Sequence, residues 1–179
     1  VEERVIIVKY WATLAQTIDS VSRSVGNAVA FAAIAMALVT TTVVILRYGF
    51  GQGAIAAQES VLYLHGALFM LGAAPTLLTD KHVRVDVFYR NFTDRQKHWV
   101  NTIGHTVFTL PFCTLIVFGS WGYVSESWSI MDSSPEPGGI PAVFLLKTLI
   151  PAMALLLALQ AVSLIIQGLI ELSEVPTDG

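Results

Sequence analysis

Residues 25–46 read VGNAVAFAAIAMALVTTTVVIL, a run from Val25 to Leu46 without one charged side chain. About 20 mostly apolar residues suffice for an α-helix to cross the hydrocarbon core of a bilayer, so this run predicts a transmembrane helix. It ends at Arg47-Tyr48-Gly49-Phe50-Gly51, where an arginine and aromatics suit the interface and glycines suit a turn. Three further stretches qualify: about 54–78, carrying Gln58, Glu59 and His65; about 99–124, with His105 and Pro111; and about 141–172, with Lys147 and Pro151. The composition agrees. Of 179 residues 54% are hydrophobic and 13% charged, with a mean hydropathy of +0.66. Soluble domains carry roughly 25% charge, so a water-coated globule is excluded, and so is a disordered chain. The net charge of -3 offers no basic face for nucleic acid, and the single cysteine, Cys113, can make neither an internal disulfide nor a cysteine metal site.

The predicted fold is therefore an all-α integral membrane protein of four transmembrane helices within residues 25–172, with a short tail at 173–179. Before it, Trp11, Leu14, Ile18, Val21 and Val25 recur at steps of three and four, opposite Gln16, Asp19, Ser20 and Arg23. That stripe predicts an amphipathic helix over 1–24, lying in the interface before the chain turns into the first span. No compact apolar core with a small-residue cleavage site precedes Val25, so no signal peptide is expected there. Arg4, Lys9 and Arg23 precede span one, and Lys81, Arg84, Arg90, Arg95 and Lys97 separate spans two and three. These three and five account for eight of the ten cations. By the positive-inside rule both termini face the cytoplasm.

The segment Thr79–Phe92 interleaves charges with Val83, Val85, Val87, Phe88, Tyr89 and Phe92. It reads as an amphipathic turn against the bilayer or a partner, its arginines near anionic lipid head groups. Thr93-Asp94-Arg95-Gln96 is a capping box that starts the third helix, with Asp94 complementing the helix dipole. Ionisable groups at membrane depth are costly and mark functional candidates. Glu59, Glu126 and Lys147 all fall toward the outer leaflet, and Lys147 is expected to pair with Glu59 or Glu126. On the fourth helix Gln160 and Gln167, seven apart, share a face and are suited to hydrogen bonds across helices. Ala154, Ala158, Ala161 and Gly168 there, and Gly66, Ala67, Ala73 and Ala74 on the second helix, allow close approach in lipid.

Two histidines on neighbouring helices, His65 and His105, raise a small haem or redox protein as an alternative, but their depths differ by about 8 Å. A homo-oligomeric channel or exporter is a further alternative. No nucleophile elbow and no phosphate loop is present, since Gly49, Gly51 and Gly53 match neither spacing. No internal repeat or pair of broken helices offers a midplane transport site.

The run Gly72-Ala73-Ala74-Pro75-Thr76-Leu77 leading into Lys81-His82-Val83-Arg84-Val85-Asp86-Val87 resembles the small permease subunit, DctQ-type, of tripartite ATP-independent periplasmic (TRAP) transporters. Glu59, the Glu126-Ser127 pair, Pro137-Gly138-Gly139-Ile140-Pro141, Leu145 to Pro151 with its Lys147, and Leu159-Gln160 agree with it. The resemblance implies a non-enzymatic scaffold subunit in the bacterial inner membrane. It implies as partners a large elevator-type permease subunit and a periplasmic binding protein delivering an organic acid, commonly a carboxylate. Sodium drives uptake and is expected on the large subunit, leaving this chain without a cofactor. Glu59, His82, Arg84, Asp86, Glu126, Lys147 and Gln160 are then candidates for structural or partner-facing roles. The loop Asp132-Ser133-Ser134-Pro135-Glu136 is expected outside, where it is placed to touch the binding protein.

Overall fold

The computed structural model describes residues 2–83 and 86–174, and every regular element among them is helical. In chain order these are α1 (Glu2–Phe50), α2 (Ile55–Leu71), α3 (Ala73–Leu78), the single turn α4 (Asp86–Tyr89), α5 (Asp94–Gly104), a π turn (His105–Thr109), α6 (Leu110–Ser129) and α7 (Val143–Glu174). Four stretches are long and apolar enough to cross a membrane: Ile6–Phe50, Ile55–Leu78, Asp94–Ser129 and Val143–Ser173. They match the four expected spans, the third and first being longer than the sequence suggests.

The largest difference lies at the start. The turn expected between an interfacial helix and the first span is absent, because α1 runs unbroken through both for 49 residues, about 74 Å. Gly26, the one weak helix former at the junction, has a packing role instead. A Cβ there would stand 2.9 Å from the Pro75 Cβ, so the missing side chain lets α1 close on α3. The apolar stripe with Trp11, Leu14 and Val21 is exposed, as a lipid-facing flank would be, and of the opposite polar residues Gln16, Ser20 and Arg23 are exposed too, while Asp19 is buried. Ala15, Asp19, Ser22 and Val29 are buried.

The second span is not a plain rod either. Pro75 has no N–H to give the Leu71 carbonyl. The chain passes through Gly72, whose N–H donates to the Leu68 oxygen at 3.1 Å, and helix continues with the Thr76 N–H on the Gly72 oxygen at 3.1 Å. A Cβ at Gly72 would collide with the Leu68 carbonyl, so glycine is required. α3 ends with Asp80 at φ +53, the Lys81 N–H reaching back to the Thr76 oxygen at 3.0 Å. The capping box is formed as expected. The Thr93 N–H donates to Gln96 Oε1 at 2.9 Å, and the Gln96 N–H donates to Thr93 Oγ1 at 3.4 Å. Further along, Pro111 again removes a helical donor, and the wider π turn ending in Leu110 N–H to His105 oxygen absorbs it.

α7 is the axis of the bundle and touches α1, α2, α3, α5 and α6. Its buried face carries small side chains, Ala154 and Ala161 among them, and Gly168 lies directly against the Thr102 side chain. Large apolar side chains such as Phe31, Leu38, Phe118 and Leu155 point outward. Lipid takes the place of water around such a bundle, so close backbone approach and polar pairing, not apolar burial, hold the helices together. The bundle has two distinguishable ends: one bears the connection 130–142, the other the connection 79–93. They are called the loop end and the turn end below.

Candidate functional site

Polar side chains inside this apolar bundle gather in two clusters, one at each end. At the loop end, α6 stops in a helix-terminating turn with Met131 at φ +48. The Met131 N–H donates to the Trp128 oxygen at 3.2 Å and the Asp132 N–H to the Ser127 oxygen at 2.9 Å, the pairing of a Schellman motif. This reversal carries Asp132 back over α7. Lys147 Nζ donates to Asp132 Oδ2 at 2.7 Å, Ser127 Oγ to the same oxygen at 3.1 Å, and the ammonium lies 4.1 Å from the centre of the Tyr123 ring. Lys147 is therefore not paired with Glu59 or Glu126, as the sequence suggests. Its partner comes from the loop, because the turn after Ser129 brings Asp132 within reach.

Glu126 is exposed near the end of α6. Glu59, at the start of α2, grips the same loop elsewhere: Oε1 accepts from the Ser134 hydroxyl and Oε2 from the Ile140 N–H at 2.6 Å. Trp128 Nε1 donates to Thr148 Oγ1 at 2.9 Å, and its ring meets Phe144 edge-on with centroids 4.6 Å apart. The connection 130–142 is thereby tied to α2 through Glu59 and to α7 through Lys147. The Lys147 ammonium and the Ser127 hydroxyl hold the Asp132 carboxyl below its ordinary value of 3.8, because both favour its charged form.

The cluster nearer the turn end centres on Asp19 of α1, a residue that the sequence pattern assigns to a solvated face. It is 7% exposed. Three side chains of α7 converge on its carboxylate: Gln160 Nε2 to Oδ1 at 2.9 Å, Ser163 Oγ to Oδ1 at 2.7 Å, and Gln167 Nε2 to Oδ2 at 3.1 Å. Arg23, one turn on and 64% exposed in its side chain, approaches Oδ2 at 3.8 Å. The shared face of Gln160 and Gln167 does bridge helices, and the acceptor is Asp19. A signal for it existed: Ala15, Asp19, Ser22, Gly26 and Val29, spaced four, three, four and three, form a small and polar stripe. The bulkier stripe beside it drew the reading the other way.

The remaining candidates lie around the connection 79–93. His98 Nδ1 and Glu171 Oε2 are 2.7 Å apart, joining α5 to α7, and Asn101 Nδ2 donates to the Tyr89 hydroxyl at 2.9 Å. His82 is exposed on the turn, Asp86 opens α4, and Arg84 lies outside the described residues. His65 is on an exposed part of α2, stacked on Phe69, whereas His105 lines a cavity beside α7 and contacts Thr109 Oγ1 at 3.3 Å. Among the described residues no group of three His, Cys, Asp or Glu is placed to hold a metal ion.

Comparison with known proteins adds the family context. The model of the family described as tripartite ATP-independent periplasmic transporters, DctQ component, matches residues 36–171. The chain is 26% identical over 133 residues to the C4-dicarboxylate TRAP transporter small permease protein DctQ of Vibrio cholerae serotype O1 (strain ATCC 39315 / El Tor Inaba N16961). That alignment covers 72% of this chain and 56% of the relative, so the chain spans about half the length of the curated protein it matches. No solved structure matches. Glu59, Asp132, Lys147 and Gln160 lie inside the matched region; Asp19 lies before it.

Proposed function

The chain belongs to the DctQ component family of the tripartite ATP-independent periplasmic transporters, and from that premise we propose that it is the small scaffold subunit of a sodium-coupled importer of organic acids. In this reading the large permease subunit carries substrate and sodium and moves, while this chain stays still and widens the wall against which that motion occurs. One observation supports the static role above others: the charged side chains Asp19, Lys147 and Glu59 are each engaged by groups of this same chain. Asp19 is taken by Gln160, Ser163 and Gln167, Lys147 by Asp132, and Glu59 by Ser134 and Ile140. A carrier needs polar groups held ready for cargo near the midplane, on interrupted helices. Here each cluster fastens one part of the chain to another.

The same reading puts the loop end on the periplasmic side and the turn end in the cytoplasm of a bacterial inner membrane, following the cation distribution. The connection 130–142 then faces the binding protein, with Pro135, Glu136 and Pro137 exposed between its two anchorages. The experiment is reconstitution into sodium-free vesicles, with sodium and substrate added outside. The isolated chain is expected to give no uptake of a carboxylate substrate, and addition of its large subunit and binding protein is expected to restore sodium-driven uptake. Sodium-driven uptake by this chain alone overturns the proposal.

A further inference from the structure

At the turn end two concavities meet. One, of about 360 Å³, is polar, with Asp80, His82, His98, Thr102, Gln167 and Glu171 in its wall. The other, of about 580 Å³, is an apolar groove between α1 and the kinked second span, walled by Val29, Ala30, Leu68, Phe69 and Ala73 and again by His82. Both volumes fall in the range of ligand sites. His82 belongs to both, so a polar compartment and an apolar one adjoin at a single side chain. Thr102 adds an independent sign: it is 7% exposed and its hydroxyl has no hydrogen-bond partner. Buried polar groups are nearly always paired, and an unpaired one calls for a partner.

A molecule with a polar head and an apolar tail suits such a pair of compartments. Among the described residues no lysine or arginine lines either of them, and the formally charged walls of the polar one are the carboxylates Asp80 and Glu171. That balance disfavours a net anionic head and favours one carrying an ammonium. Glu171 holds His98 through Oε2, and a carboxylate accepts from several donors at once. We propose that the chain binds one ethanolamine phospholipid from the leaflet at its turn end. The acyl chain lies in the groove of α1, α2 and α3, the phosphate sits at His82, and the ammonium sits near Glu171 and Thr102. The inference does not depend on the scaffold reading above, since it concerns a site made by this chain alone.

Native mass spectrometry of the full chain tests it. The chain is delipidated in mild detergent and re-exposed to mixed micelles with equal amounts of phosphatidylethanolamine and phosphatidylglycerol of matched acyl chains. One phosphatidylethanolamine per chain is expected, retained several-fold over phosphatidylglycerol. Ala30→Trp, which fills the groove, is expected to abolish retention, and Glu171→Gln to reduce the preference for the ethanolamine head. Soluble glycerophosphoethanolamine, which lacks acyl chains, is expected not to bind. Equal retention of the two lipids, unchanged retention in Ala30→Trp, or binding of the soluble head alone overturns the proposal. The lipid competition needs only the unaltered chain, so it decides the matter even where a variant does not fold.

Discussion

The loop end and the Asp19 cluster solve one problem, polar groups in an apolar bundle, in opposite ways. At the loop end two cross-connections, Lys147 to Asp132 and Glu59 to Ser134 and Ile140, hold an irregular segment onto helices, with both members of the ion pair partly open to solvent. Near the turn end a single carboxylate is buried and ringed by neutral donors from one neighbouring helix, with the exposed Arg23 approaching it at 3.8 Å. An exposed ion pair contributes little to stability but aims a loop; a buried carboxylate with several donors fixes how two helices are rotated against each other. The first device therefore governs where a surface points, and the second governs whether α1 and α7 stay in register.

That contrast breaks first at Asp19. Asp19→Ala leaves the amides of Gln160 and Gln167 and the Ser163 hydroxyl without their shared acceptor. Orphaned buried groups cost about 1–3 kcal/mol each, and the unfolded state in lipid recovers part of that, so a loss of about 2–4 kcal/mol is expected. Unfolding of the purified chain by added denaturing detergent measures it. A cost no larger than that of Asp132→Ala removes the distinction between the two clusters.

A smaller effect is expected from Lys147→Glu, which places like charges together. It should free the connection 130–142 and speed its cleavage by an added protease while the helices remain folded. The double exchange Lys147→Glu with Asp132→Lys should restore protection, and exchanges of Lys147 with Glu59 or Glu126 should not. Restoration by a Glu126 exchange would reassign the partner.

The smallest effect is that of pH. Asp132 has a folded-state value below its ordinary 3.8, so its tether is fully present above that ordinary value. The tether is lost only as pH falls through the lowered folded value, because protonation then removes the charge that Lys147 and Ser127 favour. In a variant keeping Trp128 as its one tryptophan, emission is expected to stay flat from neutral pH down to about 4 and to change only below the pH where model carboxylates titrate. A change centred near pH 6 would show that another group controls the loop.

How much of this was legible in the sequence follows from the range of each signal. Spans two to four and the Thr93–Gln96 capping box depend on neighbours within a few residues, and the sequence placed them to within a handful of positions. The unbroken α1 was misjudged, since an amphipathic stripe ahead of an apolar run fits a separate interfacial helix and an extension of the span alike, and Gly26 serves the packing against Pro75. Asp19 was assigned to a polar exterior by a rule suited to helices lying on a surface. Inside a bundle surrounded by lipid a different face is buried, the small-residue one of Ala15, Asp19 and Ser22, along which helices come close. Asp132, read only as part of the outer loop, was missed as the partner of Lys147 because its position depends on Met131 adopting a left-handed conformation more often given to glycine.

The length of α1 carries a consequence for the membrane itself. At a tilt of about 40°, the steep limit for transmembrane helices, a hydrocarbon layer of about 30 Å encloses roughly 26 residues of any helix. The helical segment Ile6–Phe50, which holds the first apolar span, has 45 residues. The surplus has greasy flanks, with Ile6, Ile7, Tyr10 and Trp11 exposed at one extremity and Tyr48 and Phe50 at the other. Free water is a poor medium for either tip. Lys9, Gln16, Arg23 and Arg47 lie on the same surplus turns, so the ends of this rod are two-faced, suited to ride where head groups and water meet.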